Sequence, residues 1–555
     1  MNKHIQYPSL KLVRYEVNID TKKHRVTLSA PMANDHRNSI QLSVFRSELS
    51  DAKFMQEQLL DLGAPVIPDL KVQLARLLSE PACNIIHTTI QAGWHNNQFV
   101  TRYGSIPTIN MNAPLLPSGI KDAQIYEFDT SHPLFQKPKT LGSLKEYMTG
   151  LKRPLTYSRP LTLMLAAALA APLADRIGHE GGVAFNLSGH SSTGKTLSLR
   201  TNLSTITEPL DANLASFGDT LGFLLYNQSA YGGSCIPFSD PKATREKAGE
   251  LCDKLQTATF TVHDGVQRRG LKSEQPILPR FAIQLFNTEK SLTEIFQQAG
   301  RELEIGDRVR LIDIAISSPY GIFDRVKSES GVTAADLAAK VEATITNNYG
   351  LLLPKWVEYL RTIEKKVLIK RVKSLERRIL KHFVENAEPD MLPLRSEQSR
   401  MAKSFALMGV AGVIAAKEGL FPIGYGLALC SIRDIFYIAA KQMVEPTNSH
   451  EKNIQAFQTY IKNKKNYPLV TEGINADPLK CDHGFRRKED GKVYLYIRRE
   501  KVEQYIADKK YLETVYFPKL QNLGCLVKPK NGWTTPVQQK GLERQRFIKL
   551  RISKF

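Results

Sequence analysis

The 555-residue chain is 42% hydrophobic with ordinary Gly and Pro content, which excludes collagenous and disordered classes and allows about three or four domains. Lys and Arg number 76 against 55 Asp and Glu, a formal charge of +21 that favours a polyanionic partner, nucleic acid ahead of an acidic membrane. The N-terminus lacks the apolar core of a signal peptide, and the best apolar run, Leu161 to Leu173, is shorter than a bilayer span. That run is expected to be a buried helix, with no membrane as partner.

The six cysteines (Cys83, Cys235, Cys252, Cys430, Cys481, Cys525) are scattered, without the paired spacing of a zinc site or a disulfide framework; reduced thiols in a cytoplasm are the simplest account. Cys481 and His483 lie close together, but zinc needs four ligands and no second pair accompanies them.

In chain order, residues 1–106 predict an N-terminal α/β domain. Strand-like segments (Tyr15 to Ile19, His24 to Leu28, Ser39 to Phe45) precede helical ones (Ser50 to Leu62, Leu70 to Leu78), and Ile85 to Gly104 reads as a hairpin around Gly93-Trp94-His95. Residues 107–150, opening with a Pro-rich stretch, read as connection. From 151 to 330 helix and apolar strand alternate: Leu161 to Ile177, Val183 to Leu187, Thr196 to Leu203, Gly222 to Tyr226, Arg280 to Phe286 and Val309 to Ile316. That pattern predicts an α/β core, a parallel sheet flanked by helices. Residues 331–445 predict a helical subdomain. Residues 446–555 predict helices near Asn453 to Lys462, Lys501 to Lys509 and Val515 to Leu523, then a closing strand pair (Cys525 to Lys528, Phe547 to Ile552) around Asn531-Gly532. The pair is like the wing of a winged helix, a nucleic-acid-binding form.

Gly189-His190-Ser191-Ser192-Thr193-Gly194-Lys195-Thr196 satisfies the G-x-x-x-x-G-K-[ST] pattern, in which backbone amides cradle phosphates, Lys reaches the β and γ groups, and the Thr hydroxyl holds Mg²⁺. Average residue frequencies give the pattern by chance in roughly one such chain in fifty. The strand predicted before the loop and the helix after it, continuing through Leu197, make ATP with Mg²⁺ the expected cofactors. A P-loop enzyme also needs an acid at a strand end for the Mg²⁺ shell and a carboxylate to polarise water. Asp240, after Cys235 to Ser239, is the candidate metal-shell acid, although Pro241 follows it and an Asp here also suits a turn cap. Glu246 or Glu250 could supply the second carboxylate. Asn287, ending the strand Phe281 to Phe286, is placed to contact the γ-phosphate or attacking water, or to cap the strand. Arg308 and Arg310 could stabilise transition-state charge, in an adjacent subunit's site or otherwise form surface ion pairs.

The run Arg361 to Lys381 carries an apolar stripe (Val367, Leu368, Val372, Leu375, Leu380) and a positive opposite face, suited to a phosphate backbone or to plain solvation. Trp533 or Tyr494 could meet a base or sugar, though core packing is the commoner role of an aromatic.

Gly93-Trp94-His95, the loop from Gly189 to Leu197, the stretch Arg308-Val309-Arg310-Leu311-Ile312-Asp313 and Arg400 to Phe421 together resemble the helicase-like ATPases of phages, plasmids and chromosomal cassettes. This family's domain was long described as uncharacterised, and it includes the MCM-like AAA+ helicases of staphylococcal chromosomal cassettes. The similarity runs from about Ile85 to the C-terminus. It implies an AAA+-like, ring-forming, hexameric helicase that starts replication of a mobile element and acts on single-stranded DNA and an origin duplex. Carried over, Lys195 and Thr196 bind phosphate and Mg²⁺, Asp240 the metal shell, Asn287 senses the nucleotide, and Arg310 is the arginine finger. Members more often carry two consecutive acids where this chain has Ser239-Asp240-Pro241. The domain before about Pro81 lies outside the resemblance and could bind DNA, a primase or a loader. The alternative class is a nucleotide-dependent switch or scaffold that binds nucleic acid without unwinding it; a small-molecule kinase fits neither the length nor the basic balance.

Overall fold

A computed structural model describes residues 9–33, 38–79, 85–106, 125–240, 247–264, 281–444, 449–463, 466–477, 480–506, 509, 512–529, 532–540, 542 and 544–551. The chain forms two compact units, Met1–Ser291 with Ile305–Ala439, and Leu292–Glu304 with Ala440–Phe555.

The first unit opens with strands β1 (Lys11–Asn18), β2 (His24–Pro31) and β3 (Ser39–Phe45), helices α1 (Ala52–Asp61) and α2 (Leu70–Ser79), and strand β4 (Ile85–Thr89). Val26, Leu28 and Ala30 alternate inward along β2 and meet Met55, Leu59, Leu70, Leu74 and Leu77 from the helices, as period-two and helical spacing dictate. The expected hairpin starts later than its sequence suggests. β4 leaves it and pairs in parallel with β1. The hairpin is built from β5 (Gly93–His95), β6 (Gln98–Thr101) and β7 (Gly104–Ile106), turning at Asn96, whose φ is 53°.

The 107–150 region is more than a connection. It contributes β8 (Ile125–Phe128), which joins β4 in parallel to complete the order β3-β2-β1-β4-β8, and α3 (Leu144–Thr156), capped by Ser143. Proline restricts only itself and the residue before it, so a strand four residues long can follow a proline-rich stretch unannounced. Residues 107–124 lie outside the described residues.

Helix α4 (Arg159–Ile177) carries the apolar run. Ser158 caps its first turn, Gly178 ends it at φ 71°, and nearly every residue between is buried. Among the described residues it is the one helix long and apolar enough to cross a membrane, and it is enclosed within this unit. The Gly-Trp hairpin docks on its last turns: Trp94 donates its indole N–H to the Pro172 carbonyl at 2.8 Å and its backbone N–H to Asp175 at 2.7 Å, and the Arg176 guanidinium lies 4.4 Å over the indole ring.

Four parallel strands follow: β9 (Val183–Ser188), β10 (Cys235–Pro237), β11 (Ile283–Thr288) and β12 (Leu311–Ala315), in the order β10-β11-β9-β12. The intervening helices are α5 (Lys195–Leu203), α6 (Leu221–Asn227), α7 (Ala248–Asp264), α8 (Leu292–Gln298), which groups with the second unit, and α9 (Ile305–Arg310). The predicted parallel sheet is therefore present. Gly222 to Tyr226, which falls with the strands of the alternating pattern, is helical, with Thr220 capping its first turn at the Phe223 N–H. A run of helices follows: α10 (Ala334–Asn347), α11 (Leu352–Thr362), α12 (Lys365–Glu385), α13 (Ser396–Lys417) and α14 (Tyr425–Val444). α13 lies along α4, with Phe405 against Phe185 of β9, and Trp356 of α11 donates to the Leu169 carbonyl.

The second unit has α15 (Ser449–Lys462), β13 (Leu469–Val470), β14 (Gly484–Glu489), β15 (Lys492–Arg498), α16 (Arg499–Tyr505), a π-turn at Leu512–Tyr516 running into α17 (Phe517–Asn522), β16 (Thr535–Val537) and β17 (Gln545–Arg551). The closing pair is part of a larger sheet, ordered β13-β14-β15-β17-β16. Cys525 to Lys528 meets β17 through a bridge at Leu526 and Leu550, while the full ladder partners of β17 are β15 and β16. Leu495 and Ile497 face the helices, and Tyr496 faces Phe485 and Phe547. Trp533 and Tyr494 are half-buried, Trp533 between Phe517 and Lys528, Tyr494 under Lys549.

Within this sheet Glu489 receives Lys549 and the Tyr496 hydroxyl at 2.5 Å each and Arg487 Nε at 2.6 Å. Burial alone raises its carboxyl, but these donors outweigh burial and bring it down to about 2. An unfolded Glu titrates at about 4.3, so the stabilisation is complete above that value and is lost as pH falls toward 2. Amide exchange in β14 and β15, compared with Glu489→Gln at each pH, should show the native protein's advantage at pH 6 shrinking between pH 5 and 2; a constant difference would contradict the assignment.

Candidate nucleotide-binding site

All six residues of β9 are buried between β11 and β12, so its position is fixed from both sides. At its end the Gly189 N–H donates to the Thr288 carbonyl at 3.1 Å, and Ile316 N–H donates to the Ser188 carbonyl at 2.7 Å. The loop leaves the sheet there. Gly189 has φ 151°, and a Cβ on it would come within 2.7 Å of the Ile316 carbonyl oxygen. Gly194, at φ 86°, opens α5, and a Cβ there would meet Ile322 at 2.9 Å. Ile322 N–H donates to the Thr193 carbonyl at 2.9 Å. The segment after β12 thus braces the loop, and only glycine fits between the two.

Inside this frame the Lys195 ammonium donates to the Gly189 and His190 carbonyls at 2.7 and 2.5 Å and to Thr193 Oγ1 at 3.3 Å. The residue is buried, while Ser191, Ser192 and Thr196 are exposed and Leu197 is half-buried in the first turn of α5. Ser192 has φ 61°, the left-handed conformation that anion nests use. The positive end of α5 lies at the same loop. A polyphosphate fits this chemistry: a cation, a run of backbone donors and a close approach that a Cβ would obstruct.

The parallel sheet brings β11 beside β9, and Asn287 Nδ2 donates to Thr196 Oγ1 at 2.9 Å. Asn287 is buried, so this bond fixes the hydroxyl of an exposed residue from below. Behind it Asn186 Nδ2 donates to Thr288 Oγ1 and Asp313 Oδ1, both at 2.8 Å, tying three strands together under the loop. Neither Asn186 nor the brace at Ile316 and Ile322 is singled out by the sequence motif, although an Asn within Val183-Ala184-Phe185-Asn186-Leu187 is a visible polar interruption.

Asp240 is half-buried and follows β10 at the same carboxyl edge of the sheet, one strand beyond Asn287. The strand is prolonged toward it by Phe238 N–H to the Leu285 carbonyl and Ser239 N–H to the Ala215 carbonyl, both 2.8 Å. Glu246 lies outside the described residues. Glu250 is exposed in the first turn of α7.

Arg308 and Arg310 are elsewhere. α9 leads directly into the start of β12, so both arginines lie at the amino edge, about 16 Å of strand away from the loop. Arg310 donates through Nε to His263 Nδ1 at 3.1 Å and lies 4.8 Å over the Phe260 ring. It lines a cleft of about 220 Å³ with His179, Glu180, His263, Arg400 and Lys403.

The family model of a domain of unknown function (DUF927) matches residues 9–216, a span holding the N-terminal sheet, the Gly-Trp hairpin, α4, β9, the loop and α5 but ending before Asp240, Asn287 and Arg310. A solved structure described as "SCCmec type IV Cch - active helicase" aligns with a TM-score of 0.59, covering 100% of this chain and 95% of that chain at 16% identity. The two chains share a fold. No curated protein matches the sequence.

Asn287 holds the Thr196 hydroxyl, so if the loop serves nucleotide hydrolysis Asn287→Ala should lower turnover about 10- to 100-fold, and raised Mg²⁺ should recover part of it. Unchanged turnover at limiting Mg²⁺ would remove Asn287 from the site.

Proposed function

We propose that this chain is an ATP-dependent DNA helicase or translocase that works as a ring, and that it serves replication initiation of a mobile element. The observation that carries the reading is the braced loop at the carboxyl edge of a parallel sheet, with the Thr196 hydroxyl positioned by Asn287. In this reading the loop amides and Lys195 hold the β and γ phosphates, and Thr196 and Asp240 hold Mg²⁺. The ion would neutralise charge on the phosphate oxygens. Asn287, donating to Thr196 Oγ1, would hold that hydroxyl in place and serve as the sensor.

The placement of Arg310 supports assembly. At the amino edge it faces away from its own loop, so its use as an arginine finger requires the site of a neighbouring copy, with Arg400 and Lys403 in the same cleft adding positive charge. A closed ring, a hexamer in the resembled family, would supply that neighbour to every site. The solved structure that shares this fold is described as that of an active helicase, and the surplus of 21 positive charges suits a DNA track. The C-terminal unit, read as winged-helix-like, would hold origin duplex, and the N-terminal domain a primase or loader. The cytoplasm is the compartment that suits such a role.

The segment Ser239-Asp240-Pro241 supports a second reading, in which a single acid without a following carboxylate hydrolyses ATP slowly and occupancy switches assembly.

Strand displacement separates the two. Lys195→Ala should lower unwinding and turnover by about 100-fold or more while leaving the fold intact, since its cation lies at the loop and not in a core. Arg310→Ala should also be defective, and mixing the two variants should restore part of the activity, because each damages the opposite side of a shared interface. Absence of any restoration would argue for sites complete within one chain; ATP binding without unwinding would favour the switch.

A further inference from the structure

Helix α12 presents a row of cations that the nucleotide site does not use. Lys366, Lys370, Lys373, Arg377 and Lys381 recur every three or four residues, which puts them on one face, and all five are exposed. The opposite face is buried through Leu368, Val372, Ile379 and Phe383, with Ile379 against Gly409 of α13 and Phe383 against Phe436 of α14. The helix is therefore held by its apolar side, and the row is fixed outward. Arg371, between the two faces, turns to Tyr359 and Glu418 and belongs to the fold.

A helix face that serves only to be solvated usually alternates charge, because like charges at these spacings repel and opposite ones attract. The protein does this elsewhere, pairing Lys355 with Glu358 at 2.9 Å. Along the α12 row only Lys381 has such a partner, Glu385 at 3.4 Å; among the described residues Lys366, Lys370, Lys373 and Arg377 are in no ion pair. The row thus opposes the stability of its own helix, and a polyanion would relieve it.

From this we infer that the exposed face of α12 binds the phosphate backbone of a nucleic-acid duplex. From Lys366 to Lys381 the row is about 22 Å long and straight, comparable to six or seven base steps. Single-strand binders add aromatic rings on which bases stack. Here the residues beside the row are Val367, Ser374 and Arg378 on one flank and Ile369, Glu376 and Leu380 on the other, with no aromatic among them. Such a surface grips backbone and reads no bases. This inference rests on nucleic acid being the partner, but it requires neither hydrolysis nor unwinding.

The test is the full-length protein with Lys366, Lys370, Lys373, Arg377 and Lys381 all changed to Gln, a substitution that removes the charge and keeps helix propensity. Binding to a 30-base-pair duplex is measured by anisotropy from low to moderate salt, without ATP, beside Lys195→Ala and the unmodified protein. The variant should bind at least about tenfold more weakly at low salt and show a dependence of log K on log salt shallower by about three to four, with circular dichroism and ATP turnover in the absence of DNA unchanged. Lys195→Ala should keep the full salt dependence. A variant with native duplex affinity and slope overturns the inference. So does selective loss of single-strand binding, or loss of binding to anionic phosphatidylserine vesicles with duplex binding intact. If duplex binding falls as expected while no version of the protein hydrolyses ATP, the motor reading fails and the α12 surface stands.

Discussion

The central constraint is the burial of β9 between β11 and β12. A strand paired on both sides and buried on both faces cannot slide without breaking two ladders and unpairing the buried Asn186 amide, so the point at which it ends is fixed. The loop from Gly189 to Thr196 inherits that precision. Asn186, the polar residue of this strand, adds to it by bonding Thr288 on one neighbour and Asp313 on the other, so that buried polar groups hold the three strand ends in one alignment. The loop glycines matter because the structure closes around them from the far side, through Ile316 and Ile322.

A parallel sheet also separates functions by edge. Every strand delivers its carboxyl end to the loop side, which is why Asn287 and Asp240, far apart in sequence, come to one edge with Lys195 and Thr196. The helix entering β12 delivers Arg308 and Arg310 to the other. In a single chain these two sets are about a strand length apart, and the proposed chemistry joins them only when copies meet. The tie between Arg310 and His263 keeps the guanidinium at that edge, in a cleft with Glu180, Arg400 and Lys403.

The parts legible in the sequence are those set by local pattern. The loop motif, the apolar β9, the small-residue α4 and the alternation of β2 each follow from spacing alone. What the pattern does not reveal depends on distant partners. β8 is four residues long and is a strand because β4 lies beside it; β4 reads as part of a hairpin because its parallel partner, β1, is about seventy residues earlier. Leu221–Asn227 is short and apolar, and its helical state is decided by the Thr220 cap more than by periodicity. The β14-β15 hairpin, by contrast, carries its own mark: Asp490-Gly491, at φ 46° and 75°, joins the two strands, and an Asp-Gly pair between such segments is a hairpin signal. At the site, Asn287 is readable as a strand-end residue, whereas its bond to Thr196 depends on the β11-β9 pairing.

The most direct measurement is steady-state ATP hydrolysis by the purified protein, alone and with single-stranded DNA, duplex DNA or RNA. A motor built on this site should hydrolyse ATP faster when its DNA track is present. Hydrolysis that is absent, or that responds to none of the three while ATP still binds, would contradict the motor and leave a nucleotide switch.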